Sequence, residues 1–120
     1  MRDGEFAELA PVDADDDAKA ALGRITITPD LTTLSESELV IEAMPEIEEL
    51  KVEYFTKLDE IVSADAILAT NTSGLDVDQI AAVTQRPQDV VGAHFFSPAH
   101  VMKLLEVVRA SQTAPDVIAT

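Results

Sequence analysis

The sequence predicts an α/β fold built on a parallel sheet, and three observations predict it. Short apolar or β-branched runs recur at residues 39–42, 66–70, 90–94 and 104–108. Segments of helical spacing lie between the first three of them, as crossover connections require. The run Val90-Val91-Gly92-Ala93 shows no apolar/polar alternation, which is the pattern of a parallel strand covered on both faces.

Each element has a local reason. Pro11 and the acidic run Asp13-Ala14-Asp15-Asp16-Asp17 read as a loop ending in helix N-cap chemistry, so residues 1–17 are expected to be irregular. Residues 18–24 form a short helix with Ala21 and Leu22 inward. Residues 25–28, Ile-Thr-Ile-Thr, alternate and are β-branched, the pattern of a half-buried strand ended by Pro29-Asp30. Residues 33–38 form a turn or a single helical turn, and 39–42 a central strand. Pro45 opens a helix at its first position, where its missing N–H costs no intrahelical bond. That helix runs to about Val62, with Ile47, Leu50, Tyr54, Leu58 and Ile61 on one face as a core stripe. Another helix starts at Asp76 and ends before Pro87, and 116–120 opens one more.

Composition narrows the function. Eight Lys and Arg face 23 acids, for a net charge of −15, which argues against nucleic acid and anionic membranes as partners. No apolar run is long enough to span a membrane. The first residues, Met1-Arg2-Asp3-Gly4-Glu5, have no apolar core and are not expected to be a signal peptide. A cytoplasmic location is therefore expected. The acidic excess is spread along the chain as in proteins adapted to high internal salt, or as in an ordinary acidic protein. Two His and no Cys offer no metal-ligand cluster, so no metal is expected.

The chemistry concentrates at the end of the third strand. In open α/β sheets ligands gather at the carboxyl ends of strands, which is where His94 falls. Glu106 is flanked by apolar residues, so it is either buried or facing a cleft, and a buried carboxylate needs a partner. His94 is the obvious one. A carboxylate fixes the tautomer of an imidazole and makes it a better base. The competing reading is a structural histidine at a strand end, and spacing alone leaves both open.

His94-Phe95-Phe96-x-Pro98, Val101-Met102-Lys103-Leu104 and Glu106-Val107-Val108 together are similar to the signature of L-3-hydroxyacyl-CoA dehydrogenases. Leu39-Val40-Ile41-Glu42-Ala43-Met44-Pro45-Glu46, with Lys51, resembles that family's strand-to-helix turn. Ile67-Leu68-Ala69-Thr70-Asn71-Thr72-Ser73 resembles its next strand end. The resemblance runs in register from about Ala18 to Val108.

The resemblance implies an incomplete doubly wound, Rossmann-like sheet whose first βαβ unit is missing, with residues 18–120 as a partial NAD-binding domain. None of the four glycines (Gly4, Gly23, Gly74, Gly92) forms the Gly-x-Gly-x-x-Gly loop that seats a pyrophosphate at a helix N-terminus. The expectation is a fragment of a larger enzyme whose strand 39–42 lacks its usual neighbour, so that the isolated chain is marginally stable. The implied reaction is oxidation of an L-3-hydroxyacyl-CoA to the 3-oxoacyl-CoA with NAD as hydride acceptor, in fatty-acid metabolism. The resemblance makes His94 the catalytic base and Glu106 its orienting acid. It gives Ser73 and Ser97 contacts to substrate and cofactor, and Glu46, Lys51 and Asn71 contacts to the cofactor. Ser97 departs from the family, which usually has Asn there, and Gly74 stands where a second Ser is usual. For Glu46 and Lys51 the competing readings are a first-turn helix acid and a solvated surface charge. The parent enzyme is expected to be a homodimer formed through a C-terminal helical domain. The alternatives are a catalytically inactive remnant that binds no cofactor, or a relative acting on a sugar acid.

Overall fold

The computed structural model describes residues 14–120. Its helices and strands, in order, are α1 (Ala14–Leu22), β1 (Leu39–Glu42), α2 (Glu48–Ile61), β2 (Ile67–Thr70), α3 (Val77–Ala81), β3 (Val90–Phe95), β4 (Leu105–Val108) and α4 (Pro115–Ala119), with 3-10 turns at Leu31–Leu34 and Pro87–Asp89. The strands lie side by side in sequence order. β1, β2 and β3 run parallel, and β4 returns antiparallel to β3. The reversal has a simple cause: only nine residues, 96–104, link β3 to β4, and a parallel crossover needs a dozen or more.

The registers set which residues share a face. Glu42 pairs with Thr70 and Thr70 with Gly92; His94 then pairs with Glu106, and Gly92 with Val108. With a side-chain period of two, these residues and Val40, Leu68 and Val90 face α2 and α3. The main core is there, formed by Phe55, Leu58, Val62, Leu68, Val77, Ile80 and Val90. The opposite face carries Ala69, Val91 and Val117 as a smaller cluster. Beyond it Leu39, Ile41, Phe95, Leu105 and Val107 remain exposed.

Gly92 permits the close approach of β4. A Cβ there would stand 2.6 Å from Val108 Cβ and 3.3 Å from the Val108 carbonyl oxygen. Gly92→Ala is therefore expected to lower stability by about 1–3 kcal/mol through overpacking. Urea unfolding measures this, and an unchanged midpoint refutes it.

At the far end of the sheet, Arg86 ties down the C-terminal turn of α2. Its Nε donates to Asp59 Oδ1 at 2.7 Å, and its terminal nitrogens donate to the Ser63 carbonyl at 2.5 Å and the Asp59 carbonyl at 3.3 Å. The Asp59 carbonyl is one of the last four of the helix, which have no partner within it, and the Ser63 carbonyl, just past the helix, also accepts from the Ala66 N–H at 3.1 Å. Asp76 caps α3 by accepting from the Asp78 N–H at 2.9 Å.

Several expectations are corrected. Residues 25–28 form no strand, and Ile27 is 95 % exposed. An alternating sequence is not enough: a ladder needs a neighbour, and none lies beside this segment among the described residues. Residues 14–17 belong to α1 rather than to an irregular segment, while residues 1–13 lie outside the described residues. Leu22 points outward. β1, central by its local pattern, is an edge strand paired only with β2 among the described residues, as the expected loss of its usual neighbour implies. Pro45 precedes α2 by three residues rather than opening it. The inward face of α2 is Lys51, Phe55 and Leu58, followed by Val62, and Ile47 is exposed. The expected stripe is thus displaced, because its true face contains a lysine.

Candidate functional site

The carboxyl ends of β1, β2 and β3 meet at one edge of the sheet, and two side-chain groups assemble there. The first lies across β3 and β4. Residues directly opposite on antiparallel strands share a face, so the pairing of His94 with Glu106 turns both side chains the same way. His94 Nδ1 lies 3.6 Å from Glu106 Oε1. That is within ion-pair range but too long for a hydrogen bond. Nδ1 is buried and accordingly has no hydrogen-bond partner. With Nδ1 turned to the carboxylate, Nε2 is the nitrogen left for a ligand. The Phe96 ring packs against the imidazole, centroids 4.8 Å apart. Glu106 is more than half exposed, so it is not a buried carboxylate.

The second group spans the ends of β1 and β2. Glu42 is buried at the end of β1. Its Oε1 accepts from Lys51 Nζ and from the Met44 N–H, both at 2.6 Å, and its Oε2 accepts from the Thr70 hydroxyl at 2.6 Å. Lys51 is 1 % exposed and also donates to the Met44 carbonyl at 3.1 Å. The surface-charge reading of Lys51 is overturned. Its ammonium stands 3.5 Å from Glu46 Oε1.

Glu46 lies two residues before α2, so it is no first-turn acid. Its carboxylate grips the loop after β2. Oε1 accepts from the Thr72 hydroxyl at 2.8 Å. Oε2 accepts from the Ser73 N–H at 2.9 Å, the Ser73 hydroxyl at 3.2 Å and the Gly74 N–H at 3.4 Å. Partial burial pushes its pKa up. The Ser73 N–H, the Thr72 and Ser73 hydroxyls and the Lys51 charge outweigh that and hold it at about 2, below the ordinary 4.5. A carboxylate whose folded pKa is depressed stabilises the fold above its unfolded pKa. The Glu46 contribution is thus present above about 4.5 and is lost as pH falls toward 2. An NMR acid titration of the Ser73 amide is expected to have its midpoint near 2, and a midpoint near 4.5 would show the grip to be absent.

Asn71 joins the two groups. Its Oδ1 accepts from the Phe95 N–H at 2.8 Å, fixing the loop after β2 to the strand end beside His94. Its side-chain NH2 stays available as a donor. Ser97 is exposed in the turn after β3 and makes no contact with either group. The structure thus brings together His94 with Glu106, and Glu46 with Lys51 and Ser73, with Asn71 between them. Glu42, Thr70 and Thr72 are members that the sequence reading passed over. The available signal was a lone acid closing the apolar run Leu39-Val40-Ile41, with a lysine nine residues on.

The family model for the NAD-binding domain of 3-hydroxyacyl-CoA dehydrogenase matches residues 5–120. A peroxisomal bifunctional enzyme of Cavia porcellus is 53 % identical over 87 residues, covering 72 % of this chain and 12 % of its own. A 3-hydroxybutyryl-CoA dehydrogenase of Mycobacterium tuberculosis is 49 % identical over 94 residues, 78 % of this chain and 33 % of its own. Among solved structures, the (S)-3-hydroxybutyryl-CoA dehydrogenase of Ralstonia eutropha superposes with a TM-score of 0.86 at 38 % identity, covering 88 % of this chain and 38 % of that one. The chain therefore spans a third or less of these curated relatives. Its four-stranded, mostly parallel sheet is Rossmann-like, as theirs is. Match and fold together place the chain in the 3-hydroxyacyl-CoA dehydrogenase family, as part of its NAD-binding domain.

Proposed function

We propose that this chain contributes the acid–base half of an NAD-dependent oxidation of L-3-hydroxyacyl-CoA to 3-oxoacyl-CoA. The observation that carries the reading is His94 Nδ1 at 3.6 Å from Glu106, in facing positions across β3 and β4. The residues fit the nicotinamide end of NAD: the Asn71 amide, the Ser73 hydroxyl and the Glu46 carboxylate converge beside a histidine at the strand ends. When bound, NAD supplies the hydride acceptor. His94 Nε2 takes the proton of the 3-hydroxyl. Glu106 keeps Nδ1 as the protonated nitrogen and faces the positive charge that develops on the ring. The Ser73 hydroxyl, which can rotate away from Glu46, donates to the substrate oxygen. Ser97 reaches the same space through a bridging water, being shorter than an amide side chain. Lys51 acts on the cofactor through Glu46, since its ammonium is spent on Glu42 and Met44.

The partner is an acyl-CoA, as the names of the relatives indicate. Among the described residues no helix is long and apolar enough to cross a membrane. Our reading of the setting is cytoplasmic, and of the parent assembly a homodimer. A second reading, a chain that binds no dinucleotide, is favoured by the glycine pattern, since none of the four forms a pyrophosphate loop. One experiment separates the two. Purified chain is mixed with NADH and acetoacetyl-CoA, and absorbance at the nicotinamide band is followed. Turnover that vanishes in His94→Gln supports the dehydrogenase. Absence of both turnover and NADH binding leaves the second reading.

A further inference from the structure

Lys51 presents one buried ammonium to two carboxylates, Glu42 at 2.6 Å and Glu46 at 3.5 Å. The two differ in what else they hold. Glu42 belongs to β1 and bridges the Met44 N–H and the Thr70 hydroxyl. Glu46 lies in the loop before α2, partly in solvent, and holds the Ser73 and Gly74 backbone. A buried ammonium must keep a counter-charge. Without the Glu42 charge, Glu46 is the carboxylate within reach. Its Oε1, already 3.5 Å away, would have to close on Lys51, drawing Oε2 off the Ser73 N–H.

We infer that Glu42 is a positioning residue of the candidate site: by engaging Lys51 at the end of β1, it leaves Glu46 to grip the Ser73–Gly74 backbone at the end of β2. The inference deepens the dehydrogenase reading and rests on it for the statement that this loop faces the nicotinamide. The geometry also makes a chain of dependence. Glu42 fixes Lys51 and the Thr70 hydroxyl, Glu46 fixes Ser73, and Asn71 fixes the strand end at Phe95. Glu42 itself is buried, and its oxygens are taken up by Lys51, Met44 and Thr70.

The test compares amide hydrogen exchange in the 15N-labelled chain, Glu42→Gln and the double variant Glu42→Gln/Lys51→Met. In Glu42→Gln the Ser73 amide is expected to exchange about tenfold faster, the loss of one charge-assisted hydrogen bond. The core amides of Phe55, Leu68 and Val90 keep their protection. In the double variant no ammonium needs a partner, so Glu46 returns to Ser73 and the exchange rate returns to that of the parent. NADH binding, read by fluorescence, is expected to be weaker in Glu42→Gln than in the parent. Unchanged Ser73 exchange in Glu42→Gln overturns the inference. So does a uniform loss of core protection, which marks a purely structural counter-ion, or a double variant that fails to restore Ser73. If the parent chain binds no NADH, the dehydrogenase reading fails, while the Ser73 measurement still decides the role of Glu42.

Discussion

Lys51→Met is expected to lower the unfolding free energy by about 3–5 kcal/mol, the usual cost of removing one partner from a buried ion pair. The substitution keeps an apolar stem of similar length and deletes the charge and its donors. Glu42 then remains with its side chain 2 % exposed and no counter-charge. Two donors remain to it, the Met44 N–H and the Thr70 hydroxyl, and both are neutral. Neutralising both members in Glu42→Gln/Lys51→Met is expected to recover most of the loss, because no buried charge is then left unpaired. Urea unfolding of the four proteins in the cycle gives the coupling directly. A single variant within about 0.5 kcal/mol of the parent, the range of an ordinary surface substitution, contradicts the pairing seen here.

His94→Gln is expected to leave the fold intact and to reduce turnover by about 10²–10⁴-fold, the range for a lost general base. The fold should tolerate it, since Nδ1 makes no hydrogen bond and the ring is only partly buried. Glutamine keeps much of the shape and cannot carry the proton. Glu106→Gln is expected to cost far less. Its carboxylate is 58 % exposed, and an ion pair so placed is worth no more than about 1 kcal/mol, or about fivefold in rate. The measurement is the steady-state rate with NADH and acetoacetyl-CoA, alongside thermal melts of each variant. Equal rates in parent and His94→Gln would remove the imidazole from the chemistry.

The parts of this molecule legible in its sequence are those written in local pattern. The parallel strands announce themselves as apolar runs, and His94 and Glu106 stand at the ends of two such runs. The failures come from partners that a linear pattern does not show. Residues 25–28 have strand composition and no neighbour to pair with. The buried face of α2 includes Lys51, and a reading by apolar spacing passes over any lysine, so the stripe was displaced toward Leu50 and Tyr54. Glu42 was read as the last residue of a strand because its three partners come from residues 44, 51 and 70. The direction of β4 follows from its nine-residue connection to β3, which is too short for a parallel crossover.

The pairing of His94 with Glu106 holds in a single alignment of the hairpin that β3 and β4 form. Sliding β4 by one position would set Leu105 or Val107 against the imidazole and swing the carboxylate to the opposite side of the sheet. On the proposed reading, proton transfer would therefore depend on correct assembly. A chain whose last strand docked out of step would lack the pairing that the reading requires, so the alignment of the hairpin would decide whether the base could work.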